Sequence, residues 1–242
     1  MKKKQGQAVK AIFCESLSKS FGAKRVIEDL SLEICRGERV AFLGCNGAGK
    51  TTLIRILLGE YLYGGEVLVL GHSPRCERTE LLRKVAFVPQ LPPPLRMPVQ
   101  EIISFAIGTT GASRELIVGV AESLQLSIND IRSQPFNKLS GGQKQKLLIA
   151  LALGRDVELL IMDEPAANLD PEARMTFFNL LEERTGDLTM LLSSHRIEEV
   201  SRLATRVIEL DLGVIVRNES LIGETEQGSV LIENSTHLER GV

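Results

Sequence analysis

The stretch Gly44-Cys45-Asn46-Gly47-Ala48-Gly49-Lys50-Thr51 fits the pattern G-x-x-x-x-G-K-[ST]. Glycines at those places let backbone N–H groups close around phosphate oxygens. Lys50 would reach the outer phosphates, and the hydroxyl of Thr51 can ligate Mg²⁺. Alone, such a loop says only that a nucleotide is bound. A second candidate is Asp163-Glu164, which closes the apolar run Leu159-Leu160-Ile161-Met162. Ligands of open α/β sheets lie beyond the carboxyl ends of strands, so these carboxylates would face the ligand held by the loop. A helix-capping turn is the plainer alternative. A third candidate is Leu139-Ser140-Gly141-Gly142-Gln143. It reads as a serine-capped helix start, and the same exposed N–H groups and hydroxyl form an anion site.

The elements that must position these residues are legible in the apolar pattern. Residues 11–17 and 31–34 read as strands with a turn at Gly22-Ala23. Residues 39–43 form a short apolar strand entering the loop, and residues 52–58 have helical spacing ending near Gly59. Strand–loop–helix is the context that the phosphate-loop pattern requires. Strands are predicted over 65–71, 85–88, 159–163, 188–193, 207–210 and 214–216, with helices over 78–84, 142–153, 173–185 and 196–203. Pro92-Pro93-Pro94 and Pro98 mark a rigid, extended segment with few backbone donors. Two further helices, over 101–107 and 115–126, place a helical subdomain at about 91–138. Strands alternating with helices predict an α/β fold with a mainly parallel central sheet.

Composition sets outer bounds. The chain has 242 residues, a net charge of -2 and 25% charged residues, an ordinary surface with no basic excess that would call for nucleic acid. No apolar run approaches the ~18 residues that span a bilayer, and no apolar segment of a signal peptide follows Met1-Lys2-Lys3-Lys4. Cys14, Cys35, Cys45 and Cys76 are scattered without a CxxC pair, which fits a reduced compartment and no structural zinc. Residues 1–10 are expected to be a basic tail and 224–242 a polar one, leaving one domain over 11–223.

The phosphate loop followed by Leu-Ser-Gly-Gly-Gln resembles the ATP-binding cassette (ABC) family, in the form of a prokaryotic stand-alone nucleotide-binding subunit. The resemblance covers about residues 13–215. It implies a P-loop NTPase of ABC type, with an N-terminal antiparallel β subdomain and a small helical subdomain. It implies ATP and Mg²⁺ as ligands, with Gly44 through Thr52 around the phosphates. Asp163 becomes a partner of Mg²⁺, direct or through its ligand shell, and Glu164 the general base. Gln90, after an apolar strand, is placed by the resemblance on Mg²⁺ and the attacking water. His195 corresponds to a switch histidine that hydrogen-bonds the γ-phosphate. Ser140, Gly141, Gly142 and Gln143 correspond to a signature that binds the γ-phosphate of ATP held by a second subunit, and Asp170 in Asn168-Leu169-Asp170-Pro171 to a loop crossing the dimer interface. Phe21 stands where the family places an aromatic that stacks on adenine.

The chain departs from the family pattern at Cys45, where proline or serine is common, at Leu151, where arginine is common, and at Ala166, where threonine or serine is usual. Cys45 reads first as a small space-filling residue, with an oxidisable thiol as the alternative. The function implied is an ATPase subunit at the cytoplasmic face of a cell membrane, working as a head-to-tail dimer with a separate permease. A soluble non-transport ABC ATPase is the alternative. Intact Glu164 and His195 argue against a cassette that binds without turnover.

Overall fold

A long N-terminal hairpin opens the chain in the computed structural model, which describes residues 9–221 apart from 185, 187 and 196. The expected polar tail 224–242 lies outside those residues, as does nearly all of the basic tail 1–10. Strand β1 (Lys10–Phe21) pairs antiparallel with β2 (Lys24–Cys35) and β4 (Gly64–Val69). Each hairpin strand is longer than the sequence pattern indicated. Register shifts and a left-handed Ser16 (φ 47°) break the alternation that a regular strand would show.

The second sheet has the order β5-β6-β7-β3-β8-β9. Its parallel core is β5 (Val85–Val88), β6 (Leu159–Asp163), β7 (Thr189–Ser193), β3 (Arg39–Leu43) and β8 (Arg206–Asp211), with β9 (Val214–Ser220) antiparallel at the edge. Side chains of a strand alternate between faces, and the core divides accordingly. Val40, Phe42, Leu159 and Ile161 pack on one face with the antiparallel sheet and with α1 (Lys50–Leu57). Ala41, Leu43, Leu160 and Met162 pack on the other with α6 (Gly141–Leu153) and α7 (Pro171–Glu182). The fold is the expected one: an antiparallel β unit, a mainly parallel sheet and helices between β5 and β6.

Ahead of α6, those helices are α3 (Val99–Thr110), α4 (Arg114–Ser123) and α5 (Ile128–Ile131), followed by a 3-10 turn at Phe136–Lys138. The last two are too short to leave a periodic trace. Helix α2 (Arg78–Lys84) matches the sequence pattern, whereas α8 covers only Ile197–Val200 of the expected 196–203. No helix of the described residues is long and apolar enough to cross a membrane.

Candidate functional site

The site begins where β3 runs out. Gly44, Gly47 and Gly49 all take positive φ (144°, 86° and 108°), so the loop wraps back on itself before α1 starts at Lys50. A Cβ at Gly44 would lie 2.4 Å from the carbonyl oxygen of Leu210, so only glycine fits this approach of loop to β8. Lys50 is buried, and its ammonium donates to the carbonyl oxygens of Gly44 and, at 3.4 Å, Cys45. A charge withdrawn from water needs such partners. Phosphate oxygens at the mouth of the loop would compete for the same Nζ.

Parallel register carries the carboxylates to this loop. The β6–β7 pairing sets Asp163 beside Ser193. Ser193 Oγ donates to Asp163 Oδ1 at 2.5 Å, and Thr51 Oγ1 donates to Asp163 Oδ2 at 2.8 Å. Thr51 and Asp163 thus offer adjacent hard oxygens. Mg²⁺ prefers such a set, completed by substrate phosphates and water, and the residues fit the ion. Ser193 also accepts the Glu164 backbone N–H at 3.0 Å. Glu164 itself stands at φ 45°, in the left-handed region unfavourable to a side chain with Cβ. Strain of this kind persists where the surroundings over-determine it, commonly at working sites. Gln90 Nε2 donates to Glu164 Oε2 at 3.1 Å, and His195 Nδ1 stands 3.5 Å from the same oxygen.

Ser193 is the residue that sequence reasoning passed over. A buried hydroxyl closing an apolar strand, in register with Asp163, was the available signal. Ser193→Ala leaves Asp163 Oδ1 without the Ser193 donor, with Thr51 still on Oδ2, and the Glu164 N–H without its side-chain acceptor. We expect kcat to fall about tenfold with little change in ATP affinity, since the loop is untouched, and the loss of one buried hydrogen-bonded group to cost about 1–3 kcal/mol. Steady-state kinetics beside a melting curve check both.

A cleft of about 640 Å³ joins these groups, lined by Lys24, Arg25, Val26, Leu212, Gln90 and Glu164 together with loop residues Cys45, Asn46, Gly47, Gly49, Lys50, Thr51 and Thr52. Phe21 is not among the lining residues. Its ring packs edge-on against Tyr61 (centroids 5.2 Å apart, 83° between planes), with the Lys19 ammonium 4.5 Å from its centre. Ala166 and His195 border a second cavity of about 250 Å³ on the other side of Glu164. Leu151 is half-buried and packs against the core of the helical face.

Ser140, Gly142, Gln143 and Asp170 line a separate cavity of about 340 Å³. Here Ser140 Oγ accepts the Gln143 N–H (3.1 Å) while Gln143 Oε1 accepts the Ser140 N–H (2.9 Å), a reciprocal cap that fixes the start of α6. Asp170 caps α7 through the Ala173 N–H and pairs with Lys146 at 3.0 Å. These contacts hold its carboxyl below the ordinary value of 3.8, the Ala173 N–H first and Lys146 after it. A depressed folded pKa contributes stability that is present above 3.8 and lost as pH falls through the folded value. Asp170→Asn keeps an amide oxygen for the cap but not the charge, so its melting temperature should fall less steeply with acidification below pH 4 than wild type.

Comparison with known proteins accords with this geometry. The family described as ABC transporter matches residues 27–167. The chain is 38% identical over 213 residues to the Nod factor export ATP-binding protein I of Rhizobium meliloti (strain 1021), covering 84% of this chain and 62% of that protein. It therefore spans less than two thirds of that relative. It is 36% identical over 210 residues to the aliphatic sulfonates import ATP-binding protein SsuB 1 of Nocardia farcinica (84% and 79% covered). It is 35% identical over 241 residues to the cobalt import ATP-binding protein CbiO of Rhodobacter capsulatus (94% and 83% covered). A solved ATP-binding subunit of an ABC transporter superposes with a TM-score of 0.79 at 26% identity, over 87% of this chain and 90% of that one. The chain belongs to the ABC transporter family.

Proposed function

We propose that this chain hydrolyses ATP to drive a membrane transporter whose pore is a separate polypeptide. The observation that supports it most is the convergence of Lys50, Thr51, Gln90 and Glu164 on one cleft, with Asp163 bonded to Thr51 and His195 3.5 Å from the Glu164 carboxylate. ATP would lie with its phosphates in the loop and its terminal phosphoryl toward Glu164. Water positioned by Gln90 and Glu164 attacks the γ-phosphorus, and the bond to the bridging oxygen of ADP breaks. Glu164 takes the water's proton, and Lys50 and the loop N–H groups balance charge on the phosphoryl oxygens. His195, beside Glu164, would hold a γ-phosphate oxygen. Thr51 and Asp163 would hold Mg²⁺, which when bound offsets the negative charge of the phosphates.

The signature residues lie in a cavity apart from this cleft. That separation supports a head-to-tail dimer, in which Ser140, Gly141 and Gly142 of the partner subunit close over the ATP, and Asp170 stands at the interface. The helical subdomain over about 91–138 would meet the permease at the cytoplasmic face of the membrane. Leu91, Met97 and Phe105 are exposed there, flanking the proline segment, and an apolar surface of this kind fits a protein contact. A soluble ABC ATPase without a permease is the second possibility, and membrane capture separates the two. Phosphate release from ATP with Mg²⁺ tests the activity itself. Turnover lost in Glu164→Gln supports the proposal, and a purified wild type without turnover, alone and with its permease, contradicts it.

A further inference from the structure

The hairpin between β8 and β9 contains a residue that the fold gives no reason to choose. Asp211 pairs with Val214 across a two-residue turn, Leu212-Gly213. Both turn residues have positive φ, 45° and 85°. A tight hairpin of that form takes Asn, Asp or Gly at its first position, because a larger side chain is strained there. Leucine stands at this position and is 83% exposed, so burial in the core does not compensate for the strain.

The turn is clamped, and its clamps fix where Leu212 points. The Gly213 N–H donates to the carbonyl of Ala48 in the phosphate loop at 3.0 Å, and its own carbonyl accepts the Glu28 N–H at 3.3 Å. A Cβ on Gly213 would lie 2.2 Å from the Val26 carbonyl oxygen. Leu212 is thereby held on the rim of the 640 Å³ cleft, whose lining it shares with Lys24, Arg25 and Val26. The groups suited to phosphates and their metal, Lys50, Thr51, Gln90 and Glu164, stand in the same lining with the phosphate loop. Phe21, the aromatic that the family resemblance offers for the base, is not among the lining residues and packs edge-on against Tyr61 beside the Lys19 ammonium.

We propose that Leu212 is a base-contacting residue, which together with Val26 forms the apolar platform on which the purine of the nucleotide rests. The proposal rests on the ATP site described above and adds a residue to it. An exposed leucine in a strained turn is thereby explained: its apolar area leaves water only when nucleotide is bound.

Leu212→Asn separates this role from a structural one, because the two predict opposite signs. Asparagine suits the turn, so the melting temperature of the variant without ligand should hold or rise. Its Kd for a fluorescent ATP analogue should rise about tenfold. Tripolyphosphate, which has no base, should compete equally well on both proteins. Leu212→Met, which keeps an apolar side chain, should restore affinity to within about threefold of wild type. Unchanged ATP affinity in Leu212→Asn, an equal loss for ATP and tripolyphosphate, or a lowered melting temperature would each overturn the assignment. Wild type that binds tripolyphosphate and the ATP analogue while the variant binds both equally sinks the base contact alone. Wild type that binds neither removes the ATP site and the inference with it.

Discussion

Glu164→Gln should bind ATP as tightly as wild type and hydrolyse it at least about 100-fold more slowly. The magnitude is that of removing a positioned general base. The geometry gives reason to expect a clean effect. Glutamine keeps an oxygen to accept from Gln90, now 3.1 Å away, and the backbone N–H of residue 164 keeps its bond to Ser193. What is lost is the capacity to take a proton from water. With hydrolysis blocked, the ATP-bound dimer of the proposed cycle should accumulate, and gel filtration with ATP and Mg²⁺ should show a species of twice the mass. A variant that turns over at the wild-type rate would remove Glu164 from the chemistry. A variant that stays monomeric with ATP bound would count against the clamp.

Lys50→Ala acts on the other end of the same phosphates, and here binding itself should fail. The Lys50 ammonium is buried and already oriented by the carbonyls of Gly44 and Cys45, so little freedom is lost when it turns to a phosphate. Charged hydrogen bonds of this kind contribute about 1.5–3 kcal/mol each, and 1.4 kcal/mol is a tenfold change. Two such bonds make the loss of affinity at least about 100-fold. Alanine favours the helix that begins at this position, so the fold should persist. Titration calorimetry with ATP reads the result. Retained affinity would mean that the phosphates lie elsewhere.

The two carboxylates and the loop were legible in the sequence because each is a local pattern. A glycine-rich loop needs positive φ at fixed places, and an apolar strand ending in Asp163-Glu164 marks the carboxyl end of a buried strand, where ligands bind. The strand positions of the central sheet were legible for the same reason: buried parallel strands such as Leu159–Asp163 read as continuous apolar runs. What escaped was long-range. Ser193 gains its role from the register of two strands 30 residues apart, at which it donates to Asp163. Leu212 reaches the cleft only because Gly213 is bonded to Ala48, far away in the chain. The family pattern gave Phe21 to the base, and the edge-on contact of that ring with Tyr61, which follows α1, was not legible in the sequence. Short elements such as α5 and the 3-10 turn at Phe136–Lys138 were missed because four residues or fewer carry no period.

The claim that this ATPase drives transport is tested most directly by capture from the membrane. Tagged Glu164→Gln, held with ATP and Mg²⁺, is pulled from detergent-solubilised membranes of its own host, and its companions are identified by mass spectrometry. The account predicts a multi-span membrane protein recovered in near-equal amount, and the identity of that protein then leads to the cargo. Recovery of soluble companions alone, or of the chain by itself in the soluble fraction, would contradict it and favour an ABC ATPase that works without a pore.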